Sequence, residues 1–596
     1  MITEISALRL FFVNNPGILP GKNRFSLSFD FDAAADSFAA YINTGKHRNV
    51  ALFFDSPAAP CFRYFAQKLR ERLRDAALIP FFYDPRQMYH GAAAVLKHAP
   101  AIGLVITDNP ARAERLRRMS DILDRPIPEI LIFGLRETIR SSSYLRYELD
   151  YRDMARLVFD TIQADAGGGQ KRAEKIVPPA AGGFPPVWSH APAQKKEREL
   201  SLLTVTSPTA EILSALTPYL KRCTGITLKI AALPYDEISQ LLASGRVGNF
   251  DLIRIDTAWS AQIETELYTP LEKWADSIKA ISDTFLPSIK KIFMPDMRNL
   301  YSIPFDPSIQ MLFYRKDLFE NTTVKRLFYE QTREKLGVPR NYREYNRIAA
   351  FFTAAMNETS PTRYGATMVY GGASVAACEV LPRVRDLGGD IFDRFGNICI
   401  NTPVFRKALK EYLEIRAYSA PEIYYWWGDA LKLFSSGLSA MTIVFINHVS
   451  GIVRTGAPEL SMKIGAAPIP GNFPLLGGGT LGISRQSAKT ESCVEFFNWV
   501  YSEEIADMIT LLGGISPRES VFANEEILAI YPWLRNMEEH YTRGWRRIGS
   551  KKHPDFDNHR FEQILGNAVR NAALSIASPE QALAKAQTEC DQEFRS

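Results

Sequence analysis

Short, uninterrupted apolar runs alternate with amphipathic helical runs along most of this 596-residue chain. That alternation restricts the fold more than any other feature. NVALFFD (Asn49 to Asp55), IGLVITD, EILIFG, LLTVT (Leu202 to Thr206), ITLKIAAL and FDLIRID each have the length and apolar content of one strand. In CFRYFAQKLRERLRDAAL, Phe62, Phe65, Leu69 and Leu73 recur at helical spacing, and ARAERLRRMSDIL reads the same way. A strand apolar on both faces must be covered on both, so the expected arrangement is a parallel sheet between helices. The predicted fold class is α/β throughout.

One segment breaks the pattern. ADAGGGQKRAEKIVPPAAGGFPPVWSHAPAQKKEREL is rich in Gly, Pro, Ala and Lys and keeps neither period. The expected organisation is therefore a domain over residues 1–165, a linker over 166–199 and a larger module over 200–596. Farther along, Thr402 and Pro403 suit the N-cap and first turn of a helix that turns Phe405, Leu409, Tyr412 and Leu413 to one side. The stretch from Phe561 to Phe594 is helical in pattern.

Catalytic templates fail in turn. TGKHR at Thr44 and GGGQKR do not make a phosphate loop, GLSAM around Ser439 lacks the second glycine of a nucleophile elbow, and GGGTLG lacks a strand-to-helix setting. The eight histidines show no HExxH pattern, and the six scattered cysteines form no CxxC pair. No cofactor or metal is expected. A net charge of +5 from 71 basic and 66 acidic residues gives no dedicated nucleic-acid surface. No apolar run reaches the ~18 residues that span a bilayer. MITEISALRLFFVNNPG carries no basic n-region or cleavage site, so the expected location is cytoplasmic; an export signal upstream would make it extracellular or periplasmic.

From Leu200 onward, six motifs stand in one order: FDLIRIDTAWSAQIETELYTPLEKW, YSIPFDPSIQMLFYRKDLF, LGGDIFDRFGNICINTPVFRKAL, LFSSGLSAMTI, IGAAPIPGNFPLLGGGTLGIS and AVRNAALSIASPEQALAKAQ. In that order they resemble the family 1 extracellular solute-binding proteins, the maltose-receptor type. The resemblance implies a two-lobed module of the type II periplasmic-binding-protein kind. One lobe would take about 200–312 plus 480–525, the other about 313–478 plus 526–596. It also implies a non-catalytic cleft that closes on a sugar or oligosaccharide. By it, the ligand-binding candidates are Asp256, Trp259, Asp306, Gln310, Glu379, Trp426, Trp427, Asn447, Gly478, Gly479 and Arg570, while Tyr370, Asp429 and His448 are read as structural. Asn447 and Ser308 stand where the maltose receptor has a tryptophan and a glutamate, which points to a different sugar. Adjacent tryptophans cannot share one core stripe, so Trp427→Ala is expected to weaken binding without unfolding. The same is expected of Arg570→Ala.

Residues 25–163 contain FSLSFDFDAAADSFAAYINTGKHRNVALFFDSP, ITDNPARA and PIPEILIFGLRE. These resemble half of the effector-binding domain of the lactose/galactose-repressor family, a type I sensor. That likeness implies a second effector site at Arg63 and Asn109. Pro110 and Arg136 depart from the family's aspartates. The likeness starts mid-domain, so a preceding module is expected to be missing, and contact with DNA would come only through it. The leading expectation is thus the sugar-sensing part of a transcriptional regulator. The alternative is the receptor of a carbohydrate ABC importer, partnered by a permease. A carbohydrate-processing enzyme rests only on scattered carboxylates.

Overall fold

The computed structural model describes residues 10–13, 24–45, 47–54, 60–82, 88–97, 101–126, 128–135, 145–149, 151–166, 174–177, 197–295, 300–449, 463–546, 552–553 and 556–594. The chain divides into two compact units, residues 1–195 and 196–596.

The first unit contains β1 (Leu10–Val13), β2 (Arg24–Phe29), β3 (Asn49–Phe54), β4 (Ala77–Phe82), β5 (Leu104–Thr107), β6 (Glu129–Leu135), β7 (Leu145–Leu149) and β8 (Glu174–Val177). Five of them form a parallel sheet in the order β4-β3-β5-β6-β7, and β1-β2-β8 form a second parallel sheet. Leu52, Phe54, Ile106 and Phe133 are buried from this sheet against Phe38 and Phe65 of the covering helices. Two boundaries differ from expectation. The helix starting at Pro60 stops at Arg72, and Ala77 and Leu78 belong to a strand. β8 lies inside the expected linker, where EKIV takes strand form by pairing in parallel with β2.

The second unit contains β9 (Arg198–Val205), β10 (Ile226–Leu233), β11 (Leu252–Asp256), β12 (Ser302–Arg315), β13 (Met441–Phe445), β14 (Ile464–Ala467) and β15 (Leu476–Ile483). Their order is β10-β9-β11-β15-β12-β13, with β14 also on β12. β12 joins the halves. Its first part, to Ile309, pairs with β15, and Gln310 to Arg315 pair with β13 and β14. This matches the expected crossover between lobes. The Pro208–Thr224 helix begins on the Ser207 cap and ends on Gly225 at φ 77°, a left-handed position that glycine takes without strain. Thr402 and Pro403 start their helix as expected. The C-terminal helical stretch is two helices, Asn558–Ala573 and Pro579–Glu593, separated by Ser575 at positive φ.

β12 is irregular where it crosses. Its register with β15 shifts between Phe305 and Ser308, and Asp306 has φ 46°. Bulges re-aim side chains, and a non-glycine residue in this region costs about 1 kcal/mol. Gly478 (φ 85°) permits the kink, because a Cβ there would lie 2.3 Å from the Asp306 carbonyl oxygen. The bulge delivers the Asp306 carboxylate to Arg254.

Candidate functional site

Three strands of the second unit end at one place. β9 leads into Thr206 and Ser207, β11 ends on Asp256, and β13 leads into Asn447 and His448. The carboxyl ends of strands are where α/β folds open a crevice. A cavity of about 590 Å³, counting its mouth, lies there. Tyr235, Cys378, Trp426, Trp427 and Phe445 supply much of its surface, and Arg254, Asp256, Asp306, Arg546 and Glu562 the charges.

The charges form a chain. Arg254 Nη2 and Nε donate to Asp306 Oδ1 at 3.0 and 3.2 Å. Arg546 grips both Glu562 oxygens at 2.8 Å and also donates to Thr257 Oγ1 and the Leu476 carbonyl. Asp256 lies between the two guanidinium groups, 3.5 Å from Arg254 and 3.6 Å from Arg546. Burial pushes the Asp306 carboxyl up to about 6 against the pull of Arg254, and also raises Glu562. Burial, helped by Arg254, holds His448 down to about 4, so its ring is neutral at pH 7.

Further contacts join distant parts of the chain around the cavity. Tyr235 Oη lies 3.3 Å from His559 Nδ1, and Ser239 Oγ lies 2.9 Å from His559 Nε2. The Tyr235 and Trp426 rings are 6.0 Å apart. Ser308 Oγ of the crossover strand donates to Asn447 Oδ1 at 2.9 Å and accepts from the Asn447 backbone N–H.

Of the residues expected from the sequence, Asp256, Asp306, Trp426, Trp427, Asn447 and Gly478 meet in this cavity. The rest do not line it. Trp259 is buried against Tyr235 and His559. Gln310 joins backbone groups, donating to the Cys378 carbonyl and accepting from Leu475 N–H. Glu379 sits behind Trp427, whose indole N–H donates to it at 2.9 Å. Gly479 makes room for Arg254, which a Cβ would meet at 2.5 Å. Arg570 lines a different hollow with Asp236, Gln240, Tyr425, Gln563 and Asn567. His448, read as structural, lines the cavity, whereas Tyr370 is buried in the core and Asp429 pairs with Lys432. In the first unit Asn109 caps the Pro110–Ile122 helix, accepting from Ala111 N–H, and Arg63 is exposed on the helix after β3. Arg136 lies outside the described residues.

Sequence reasoning passed over Tyr235, Arg254, Arg546 and Glu562. Arg254 carried a signal, since a charge inside the apolar run FDLIRID must be paired when the strand is buried. The others become neighbours only in three dimensions.

Glu379 provides a test of burial at this site. Burial raises its carboxyl to about 7, outweighing Arg383 and the Trp427 hydrogen bond. The folded chain then keeps a proton that the unfolded chain releases near 4.5, so this group makes stability fall as pH rises from 4.5 to about 7. Glu379→Gln should lack that decline. Its stability relative to wild type, from urea titrations at pH 5 and 8, should be higher at pH 8.

A crossover strand, two halves and a cavity at converging strand ends define a cleft-type solute-binding protein. Residues 214–530 match the family model described as bacterial extracellular solute-binding protein, and the chain belongs to that family. A Sinorhizobium fredii protein named "Probable amino-acid ABC transporter periplasmic-binding protein" is 19% identical over 343 residues, 56% of this chain and 76% of that one. A Brucella abortus binding protein is 26% identical over 315 residues, 51% of this chain and 69% of that one. The fold is shared with an ABC transporter solute-binding protein of Agrobacterium radiobacter solved with ribitol (22% identity, TM-score 0.58, 66% of this chain and 98% of that one). It is also shared with one of Agrobacterium vitis solved with D-mannitol (19%, 0.56, 67% and 98%). The matches point neither to a repressor-type first domain nor to DNA. The family's description is extracellular, so the cytoplasmic expectation finds no support there. Among the described residues no helix is long and apolar enough to cross a membrane.

Proposed function

We propose that residues 197–594 are the receptor of an ABC importer, closing without catalysis on a small polyhydroxylated solute, a sugar or sugar alcohol. The importer reading replaces the regulator reading, since the family match and the Sinorhizobium fredii relative both speak for a transport receptor. One observation carries the ligand class. Flat rings of Trp426 and Tyr235 share a cavity with Asp256, Asn447, His448 and Arg254. A sugar offers apolar C–H faces to such rings and a belt of hydroxyls to such hydrogen-bonding groups. Ribitol and D-mannitol in relatives of the same fold support that class. The permease would recognise the closed form, and the ligand shifts closure only by its preference for that form.

Calorimetry against alditols, monosaccharides, disaccharides and amino acids tests this. A sugar or alditol should bind, and Trp426→Ala should weaken it tenfold or more, about 1.4 kcal/mol. Binding of amino acids alone would overturn the ligand class. Unchanged affinity in the variant would remove Trp426 from the site.

A further inference from the structure

Resting on the reading of a cleft that closes on a small polyhydroxylated solute, we propose that this solute carries one positive charge. It is an amino sugar or amino polyol whose ammonium group sits on Asp256, beside Tyr235 and Trp426.

The argument is a balance of charges. The acidic and basic side chains lining the cavity are Asp256, Asp306 and Glu562 against Arg254 and Arg546. Each arginine is committed elsewhere: Arg254 to Asp306 through three contacts of 3.0 to 3.4 Å, Arg546 to Glu562 through three of 2.8 to 3.2 Å. Asp256 is left with the long contacts of 3.5 and 3.6 Å. Its Oδ1 accepts from Ala258 N–H at 3.0 Å and Thr257 Oγ1 at 3.4 Å, while Oδ2 has only the distant Arg254. His448 is neutral and adds nothing. Two guanidinium groups thus serve three carboxyl groups in a mostly buried site, and Asp256 has the longest of the ion pairs.

A buried carboxylate held only by long ion pairs to arginines already shared with other acids is weakly compensated, and a cation placed on it improves the balance. The charges of Asp306 and Glu562 agree. After burial, which is the main cause, repulsion from Asp256 contributes to raising both, even though each faces a guanidinium. The walls suit a cation as well, because indole and phenol faces attract positive charge within about 6 Å. A neutral sugar would leave the surplus in place. A zwitterionic amino acid would bring a carboxylate toward three acidic residues.

The test compares twins that differ only in an amine for a hydroxyl, by calorimetry at pH 7 on the whole chain. The pairs are D-glucosamine with D-glucose, D-galactosamine with D-galactose, and D-glucamine with D-sorbitol, together with the N-acetylated sugars. At least one amine should bind tenfold or more tighter than its hydroxyl twin and its N-acetyl form. Asp256→Asn should bring that pair to near parity. A neutral twin binding as tightly as its amine, or a preference unchanged in Asp256→Asn, overturns the inference and leaves the sugar-receptor reading standing. No binding from any compound in either set overturns both.

Discussion

Arg546→Met is expected to lower the unfolding free energy of the second unit by about 3–5 kcal/mol, the cost of leaving a buried carboxylate without its partner. Glu562 is 1% exposed, and its two oxygens are held by the Arg546 fork. The same guanidinium ties the end of β11 and the start of β15 to the Asn558–Ala573 helix through Thr257 and Leu476. Removing it therefore strands a charge and unfastens three elements. The double variant Arg546→Met, Glu562→Met should recover much of the loss, because a buried pair replaced on both sides by apolar groups is often neutral. Urea unfolding of the four members of the cycle measures this. If the single variant lies within 1 kcal/mol of wild type, the pair is not as buried as described.

Trp427→Ala is the second large effect, and it departs from the behaviour expected of a ligand contact alone. Trp427 is buried, its ring centroid lies 4.8 Å from Phe445 and 5.1 Å from Trp426, and its indole N–H is the hydrogen bond that Glu379 receives. Truncation should cost about 3–5 kcal/mol for the lost packing, and more for the carboxyl left behind. Trp427→Phe keeps most of the ring and loses only the N–H, so it should retain more stability than Trp427→Ala. Thermal unfolding of both variants decides the matter. Wild-type stability in Trp427→Ala would return this residue to the ligand alone. Two adjacent tryptophans cannot share a helical stripe when both lie within the helix. Here Trp426 precedes the helix in extended conformation and Trp427 begins it, so the helical geometry does not apply to the pair. That is how both come to line one cavity.

The elements of the fold were legible because they are local. LLTVT is a strand since it is short and largely apolar, ITLKIAAL since it alternates and FDLIRID since its centre is apolar but for Arg254, and Thr402-Pro403 starts a helix since cap and first turn are adjacent in sequence. The two-lobed plan was implied by the family resemblance that the motif order carries. The EKIV strand in the presumed linker was not legible, because it is strand-like only with β2 as a neighbour.

The site divides along the same line. Asp256, Asp306 and Asn447 came from the family resemblance, and the end of β11, the β12 bulge and the end of β13 bring them to the crevice. Gln310 and Glu379 have equally suitable side chains, yet one is spent on backbone groups and the other on Trp427. Arg570 came from the same resemblance, but on the Asn558–Ala573 helix it is Glu562 that lines the cavity, while Arg570 lies in another hollow. Sequence alone thus determined most of the strands and helices, and its resemblance to a known family implied two halves with a gap. Only the tertiary structure decided which polar groups remain unspent there, because a side chain's availability depends on distances to partners that sequence separation does not encode.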